Sequence, residues 1–159
     1  MQLGDEDFDN VNPGEPRILI DEGLWPAAFV GMEIRPSRWG EKLCVSWKVF
    51  MNLDRSRFHV LTRFYNLQRD GGGRFKFGHL HAYRGDWIVA NHGKLPMDPK
   101  KLPPTVFKKG QCIVEVVTVR TSNGRALHPS LHWSRIGWII RPMDDEKAGR
   151  GCRCNRSIL

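Results

Sequence analysis

The side chains in this chain that could do chemistry are cations set beside aromatic rings. Arg74-Phe75-Lys76-Phe77 alternates the two kinds residue by residue, Arg38 precedes Trp39, and Lys48 stands two residues before Phe50. Guanidinium and ammonium groups can follow a line of phosphates, while a ring face can stack a base for roughly 1–3 kcal/mol. Catalytic arrangements are harder to find. His79-Leu80-His81 and Cys152-Arg153-Cys154 each offer two donors, yet structural zinc takes four ligands at wider spacings, so no metal is expected. Gly71-Gly72-Gly73 has no Lys-Ser/Thr pair after it to make a phosphate loop. No Ser, His and Asp constellation stands out, and the acids between 23 and 141 are too scattered for metal-dependent nuclease chemistry. The residues therefore point to binding without catalysis or cofactor.

Charge sharpens this. The chain has 159 residues and a formal charge of +8. Its distribution is uneven: residues 1–22 carry −6, residues 23–141 carry +13 and residues 142–159 carry +1. A segment at +13 attracts polyanions, because every phosphate contact releases condensed counterions. No apolar run approaches the roughly 20 residues that span a bilayer, and the N-terminus is acidic where a secretory signal would be basic. Cys44 and Cys112 sit in apolar strand-like runs, which suits a reducing compartment. A cytoplasmic location and no membrane partner are expected.

The elements that must position these residues are mostly strands. Three domains of organisation are read: an acidic, flexible arm over 1–23, with order starting at Leu24; a folded unit over 24–142; and a polar, flexible tail over 143–159. Period-two alternation predicts a first strand from Ala27 to about Ile34, a second from Leu43 to Met51 and a third from Phe58 to Tyr65. Asp70 to Gly73 is read as flexible loop, and residues 78–91 as one amphipathic helix. A proline-rich connection leads to a fourth strand over 111–121. After the Asn123-Gly124 turn signal, a fifth runs from about Leu131 to Arg141. Trp47, Phe58, Phe64 and Trp138 are expected in the core.

This order, three strands, a helix and two strands, resembles the OB-fold, a five-stranded, partly open barrel. The resemblance implies a mainly β fold, with the one helix between strands three and four. It also implies oligonucleotide binding on the strand-two and strand-three face and the loops after strands one and four. Gly73-Arg74-Phe75-Lys76-Phe77-Gly78, followed by a helix and a proline-rich connection, is similar to small single-strand-binding proteins of phages and conjugative elements. One departure is plain: bacterial single-strand-binding proteins usually end in an acidic tail with a terminal Phe, whereas this chain ends Asn155-Arg156-Ser157-Ile158-Leu159.

If the more apolar face of each strand fills the barrel, the opposite face carries Lys48 and Phe50 on strand two. It carries His59, Arg63 and Tyr65 on strand three. The first loop adds Arg35, Arg38 and Trp39, and the loop after strand four adds Arg125 and His128, with Trp133 just beyond. Arg74, Phe75, Lys76 and Phe77 would cover the groove from the side. The expected partner is single-stranded DNA, with RNA as an open alternative because no pocket for a 2′-hydroxyl is legible. The wider role would be replication, recombination or transfer of a mobile element, with a replication or recombination protein as a further partner and homo-oligomerisation left open. The rival reading is an adaptor or inhibitor that binds a protein partner.

Overall fold

The computed structural model describes residues 17–38, 40–78 and 81–143. Its elements are β1 (Gly23–Ser37), β2 (Gly40–Phe50), β3 (Phe58–Arg69), β4 (Phe75–Lys76), α1 (Ala82–Ala90), β5 (Gln111–Val119), β6 (Thr121–Ser122), β7 (Arg125–Ala126) and β8 (Trp133–Pro142). Single 3-10 turns lie at Pro104–Lys108 and Pro129–Leu131. The chain is mainly β, and six strands form one antiparallel sheet in the order β4-β3-β2-β1-β5-β8. The sheet has one strand more than the sequence suggests, because β4 pairs with the end of β3.

β2 and β5 are buried where their pattern is apolar. Leu43, Val45, Trp47 and Val49 of β2 point inward and are buried, as are Cys112, Val114 and Val116 of β5. The helix covers this core with Tyr83, Asp86, Trp87 and Ala90, a three- and four-residue spacing that lines one helical face. It starts at His81, whose Nδ1 accepts the Tyr83 amide N–H at 3.1 Å while Nε2–H donates to the Asn66 carbonyl at 2.6 Å. The helix is shorter than the expected 78–91. Tyr83 and Trp87 donate to the carbonyls of Leu102 and Pro103, so the proline-rich connection is tied down over the core. Burial raises the Tyr83 phenol above its ordinary range.

The central polar feature is Asp86, buried on the helix face. Arg63 Nε donates to Asp86 Oδ2 at 3.0 Å, and the Tyr65 hydroxyl donates to the same oxygen at 2.6 Å. The Ile139 N–H of β8 faces Oδ1 at 3.4 Å. One carboxylate thus ties α1 to β3 and β8. It reverses an expectation: Leu61, Arg63, Tyr65 and Leu67 face the core, while Phe58 and Val60 face out. The sequence ranked the two faces of β3 by hydrophobicity alone, and there the Phe58, Val60, Phe64 face wins. The register sets the actual outcome, pairing Val45 with Arg63 and Leu43 with Tyr65. Asp86 supplies the partner that makes burying a guanidinium and a phenol affordable. Burial and the nearby Asp86 carboxylate hold the Tyr65 phenol well above its usual range.

Trp138 is likewise exposed, at 41%, where the alternating pattern put it in the core. The β5–β8 ladder skips Gly137 and then Ile140, each the extra residue of a bulge. Ile136 and Ile139 therefore point inward, and Trp138 and Ile140 outward. β3 and β8 share no ladder rung among the described residues, yet they touch. Phe64 and Trp133 meet edge to face at 6.2 Å, and the Arg63 guanidinium lies 4.9 Å from the Trp138 ring. The sheet is curled enough to bring its third and last long strands together.

Two flexible readings also change. The glycine run sits in a closed β3–β4 turn: Asp70 N–H donates to the Arg74 carbonyl at 2.8 Å, and Asp70 Oδ1 accepts from Gly72 and Arg74 N–H. Gly73 supplies the positive φ this needs. Order begins before Leu24, because the Ile18 carbonyl accepts the Ser134 N–H at 2.7 Å and Ile20 N–H donates to Ser134 Oγ at 2.9 Å. The rest of the acidic arm, residues 1–16, and all of the tail beyond Met143 lie outside the described residues.

Asp86→Ala should lower the unfolding free energy by about 3–5 kcal/mol, because it strands a buried guanidinium. Tyr65→Phe should cost less, about 1.5–3 kcal/mol, one hydrogen bond to a charged group. Urea denaturation of the two variants would check both values and their order.

Candidate nucleic-acid interface

The antiparallel register divides the candidate residues between two ends of the sheet. The β1–β2 turn and the β3–β4 hairpin lie at one end. The β2–β3 turn and the β5–β8 connection lie at the other. Arg35, Arg38, Arg74, Phe75, Lys76 and Phe77 fall in the first group. Lys48, Phe50, His59, Arg125 and His128 fall in the second. The single groove expected from the sequence is thus two separate groups.

In the first group Arg35, and Arg69 beside it, are committed to ion pairs. Arg35 pairs with Glu33, and Arg69 clasps Glu41 through two nitrogens at 2.9 and 3.1 Å. That clasp holds the Glu41 carboxyl below its usual range. Arg69 also lies 4.1 Å above the Phe75 ring. Phe77 packs on Tyr83 at 4.8 Å and on His81 at 5.2 Å. Phe75 and Phe77 are half-buried against the core and pin the hairpin down. Arg38, Arg74 and Lys76 are exposed, and Trp39 lies outside the described residues.

The second group is different. β2 and β3 present Lys48, Phe50, Phe58 and Val60 on their outer face, with Lys48 directly opposite Val60 and Phe50 opposite Phe58. The Lys48 ammonium sits 4.7 Å from the Phe58 ring centre, and the Arg55 guanidinium 5.4 Å from that of Phe50. Phe58 is 43% exposed, whereas Phe50 is buried. Arg57 is exposed beside them, while His59, exposed as well, pairs with the inward Val49 and so lies on the other side of β3. The turn that carries these groups is itself fixed. Met51 N–H donates to the Arg57 carbonyl at 2.8 Å, and Asn52 Oδ1 accepts the Arg57 N–H at 3.0 Å. Its one acid, Asp54, accepts from Ser56 N–H and Oγ–H at 3.0 and 2.8 Å, bonds that hold its carboxyl below the usual range. Asp54 is thus spent on the backbone. Among the described residues, neither Arg55 nor Arg57 has an ion-pair partner.

Four expected site residues are buried and drop out: Arg63 and Tyr65, held by Asp86, Phe50 beneath Arg55, and Trp133, which is 6% exposed and packs on Phe64. Arg125 is exposed in the β6–β7 hairpin, whose Asn123-Gly124 turn has both residues at positive φ. His128 is exposed but occupied, since its Nδ1 accepts the Ser130 N–H. Sequence reasoning missed Arg55, Arg57 and Phe58. The two arginines flank a turn that was legible, but Phe58 could be placed only through the cross-strand register.

A notch lies beside this face, where β1 parts from β5. Its volume is about 410 Å³. Among the described residues no group of three or more His, Cys, Asp and Glu could hold a metal. No described helix is long and apolar enough to cross a membrane. No protein-family model matches this chain, and no curated protein or solved structure matches it either.

Two outcomes follow from this geometry. Phe58→Ala should cost under about 1 kcal/mol of stability, while Trp133→Ala should cost about 3–5 kcal/mol; chemical denaturation compares them. The Glu41–Arg69 clasp contributes stability above the ordinary Glu range near ~4.3, and that contribution is lost as pH falls through the lowered Glu41 value. In Arg69→Gln, an NMR titration of Glu41 should show its pKa moved back up toward that range.

Proposed function

We propose that this chain is an OB-like barrel that binds single-stranded nucleic acid, DNA in the first instance, without catalysing a reaction. The observation that carries the reading is the β2–β3 hairpin. There Lys48 stands over the exposed Phe58 ring, Arg55 and Arg57 flank it on a fixed turn, and the only acid in the turn is turned back onto Ser56. A strand lying across this face would set phosphates against the cations and a base on the Phe58 ring, the two contacts that sequence-independent binding requires. Lys48 over Phe58 and Arg55 over Phe50 keep the cations on that surface, and the Phe58 ring is exposed enough to meet a base as well. The curled sheet and the helix between β3 and β5 support the OB-like reading, and the +13 segment supplies the long-range attraction. A cytoplasmic place and a role in replication, recombination or transfer belong to the same proposal.

A second reading, a module that docks a protein partner, is favoured by the outward-facing Trp138 and Ile140 on β8. The two readings separate in one experiment. Fluorescence anisotropy of a labelled oligo-dT should show binding that weakens steeply with salt. Lys48→Ala and Arg55→Ala should each flatten the log–log salt slope by about 0.7, one phosphate contact on a single strand. Phe58→Ala should weaken binding by about 1–3 kcal/mol and leave that slope alone. Absence of salt-dependent binding would favour the protein-docking module.

A further inference from the structure

The notch beside the interface has the makings of a specific subsite. The β1–β5 ladder ends at the rung Ala28–Gln111, after which β1 bulges at Val30 and β5 gives way to Gly110. The strands separate there and leave a cavity of about 410 Å³, lined by Phe29, Phe107, Lys108 and Gln111 among others. This is at the small end of ligand pockets, roughly 300–1,000 Å³. Phe29 stacks on Phe107, 16° from parallel and 6.3 Å between centres, and both rings meet Trp47 edge to face. The wall is therefore rigid and aromatic. Lys108 Nζ stands 5.8 Å from the Phe29 ring centre, so a cation already covers part of that ring. Gln111 Oε1 is buried at the same place and accepts no hydrogen bond among the described residues. A buried amide oxygen without a donor costs free energy; the oxygen is closed to solvent as it stands, and rotation of the amide about its last bond would offer it to a ligand N–H.

The notch continues the outer face described above. Ala28, which lines it, is the direct cross-strand neighbour of Lys48, and Lys48 of Val60. Gln111, Ala28, Lys48 and Val60 form one row across four strands. We propose that the notch receives one base of the bound strand: Phe29 stacks it, the Gln111 amide reads its hydrogen-bonding edge, and Lys108 meets the adjoining phosphate. A nucleobase is the occupant that uses all of these features at once, being planar, rich in N–H donors and joined to an anion. This inference rests on the proposed single-strand binding and adds to it a modest base preference, set at one position.

The test uses the full chain and homopolymer oligonucleotides of dT, dC, dA and dG. Gln111→Leu should abolish the differences in affinity among the four. Phe29→Leu should weaken all of them by about tenfold. Because Phe29 also packs on the core, a second measurement uses the unaltered chain: oligo-dT carrying 4-thiothymidine is photocrosslinked and the adducts are mapped, with adducts expected at 28–30 or 107–111 as well as on the hairpin at 48–60. Crosslinks confined to the hairpin, with Gln111→Leu retaining the parent's base preference, would overturn the notch and leave the interface standing. Failure of every oligonucleotide to bind would overturn both.

Discussion

Everything in this fold turns on where one carboxylate is. Asp86 is buried on the inner face of α1, and it brings together a guanidinium and a phenol from β3 and a backbone N–H from β8. Those contacts decide which face of β3 looks inward, hold the helix on the sheet and draw β3 toward β8. The arrangement is costly in isolation, because charges and hydroxyls give up water to reach it. The carboxylate's partners, Arg63 and Tyr65, both lie on one face of β3, so a one-residue slip against β2 would take them away from Asp86. What is left on the outside of β3 is Phe58 and Val60, and the candidate interface is the consequence.

Irregularity of the strands does the rest. Bulges at Val30, Gly137 and Ile140 each shift the inward–outward alternation by one residue. At Gly137 the space is tight: a Cβ there would meet the Val117 side chain at 3.0 Å, so Val117 would have to give by a few tenths of an ångström. These shifts bend the sheet and turn Trp138 outward, while the bulge at Val30 opens the space where β1 leaves β5. A regular six-stranded sheet from the same residues would have neither the curl nor the notch.

Much of the fold was legible in the sequence. The strands over 111–119 and 40–50, the helix after the glycine run, and the Asn123-Gly124 turn all follow from local pattern and turn chemistry. The sites were less legible, for one physical reason. Which face of β3 is buried depends on a partner twenty-odd residues away on another element, and Arg63 and Tyr65 look like surface residues until Asp86 is beside them. Bulges are silent in composition, so Trp138 read as core. Lys48 lies on the outer face with Val60, but His59 pairs with the inward Val49 and so shares the side of Leu61 and Arg63; the cations that complete the Lys48 surface, Arg55 and Arg57, gain meaning only once the turn between β2 and β3 is seen to be fixed. Phe50 read as a stacking ring and is instead the buried support beneath Arg55.

The separation of β1 from β5 has one more consequence. Past Ala28, β1 keeps β2 on one flank and, among the described residues, pairs with nothing on the other. Such a margin is a template on which a stray extended peptide could build. The chain equips it against that fate: Pro36 removes an amide hydrogen, and the Glu33–Arg35 pair places full charges where an added strand would have to shed its water. The opening between β1 and β5 thus comes with its own safeguard against self-association into fibres.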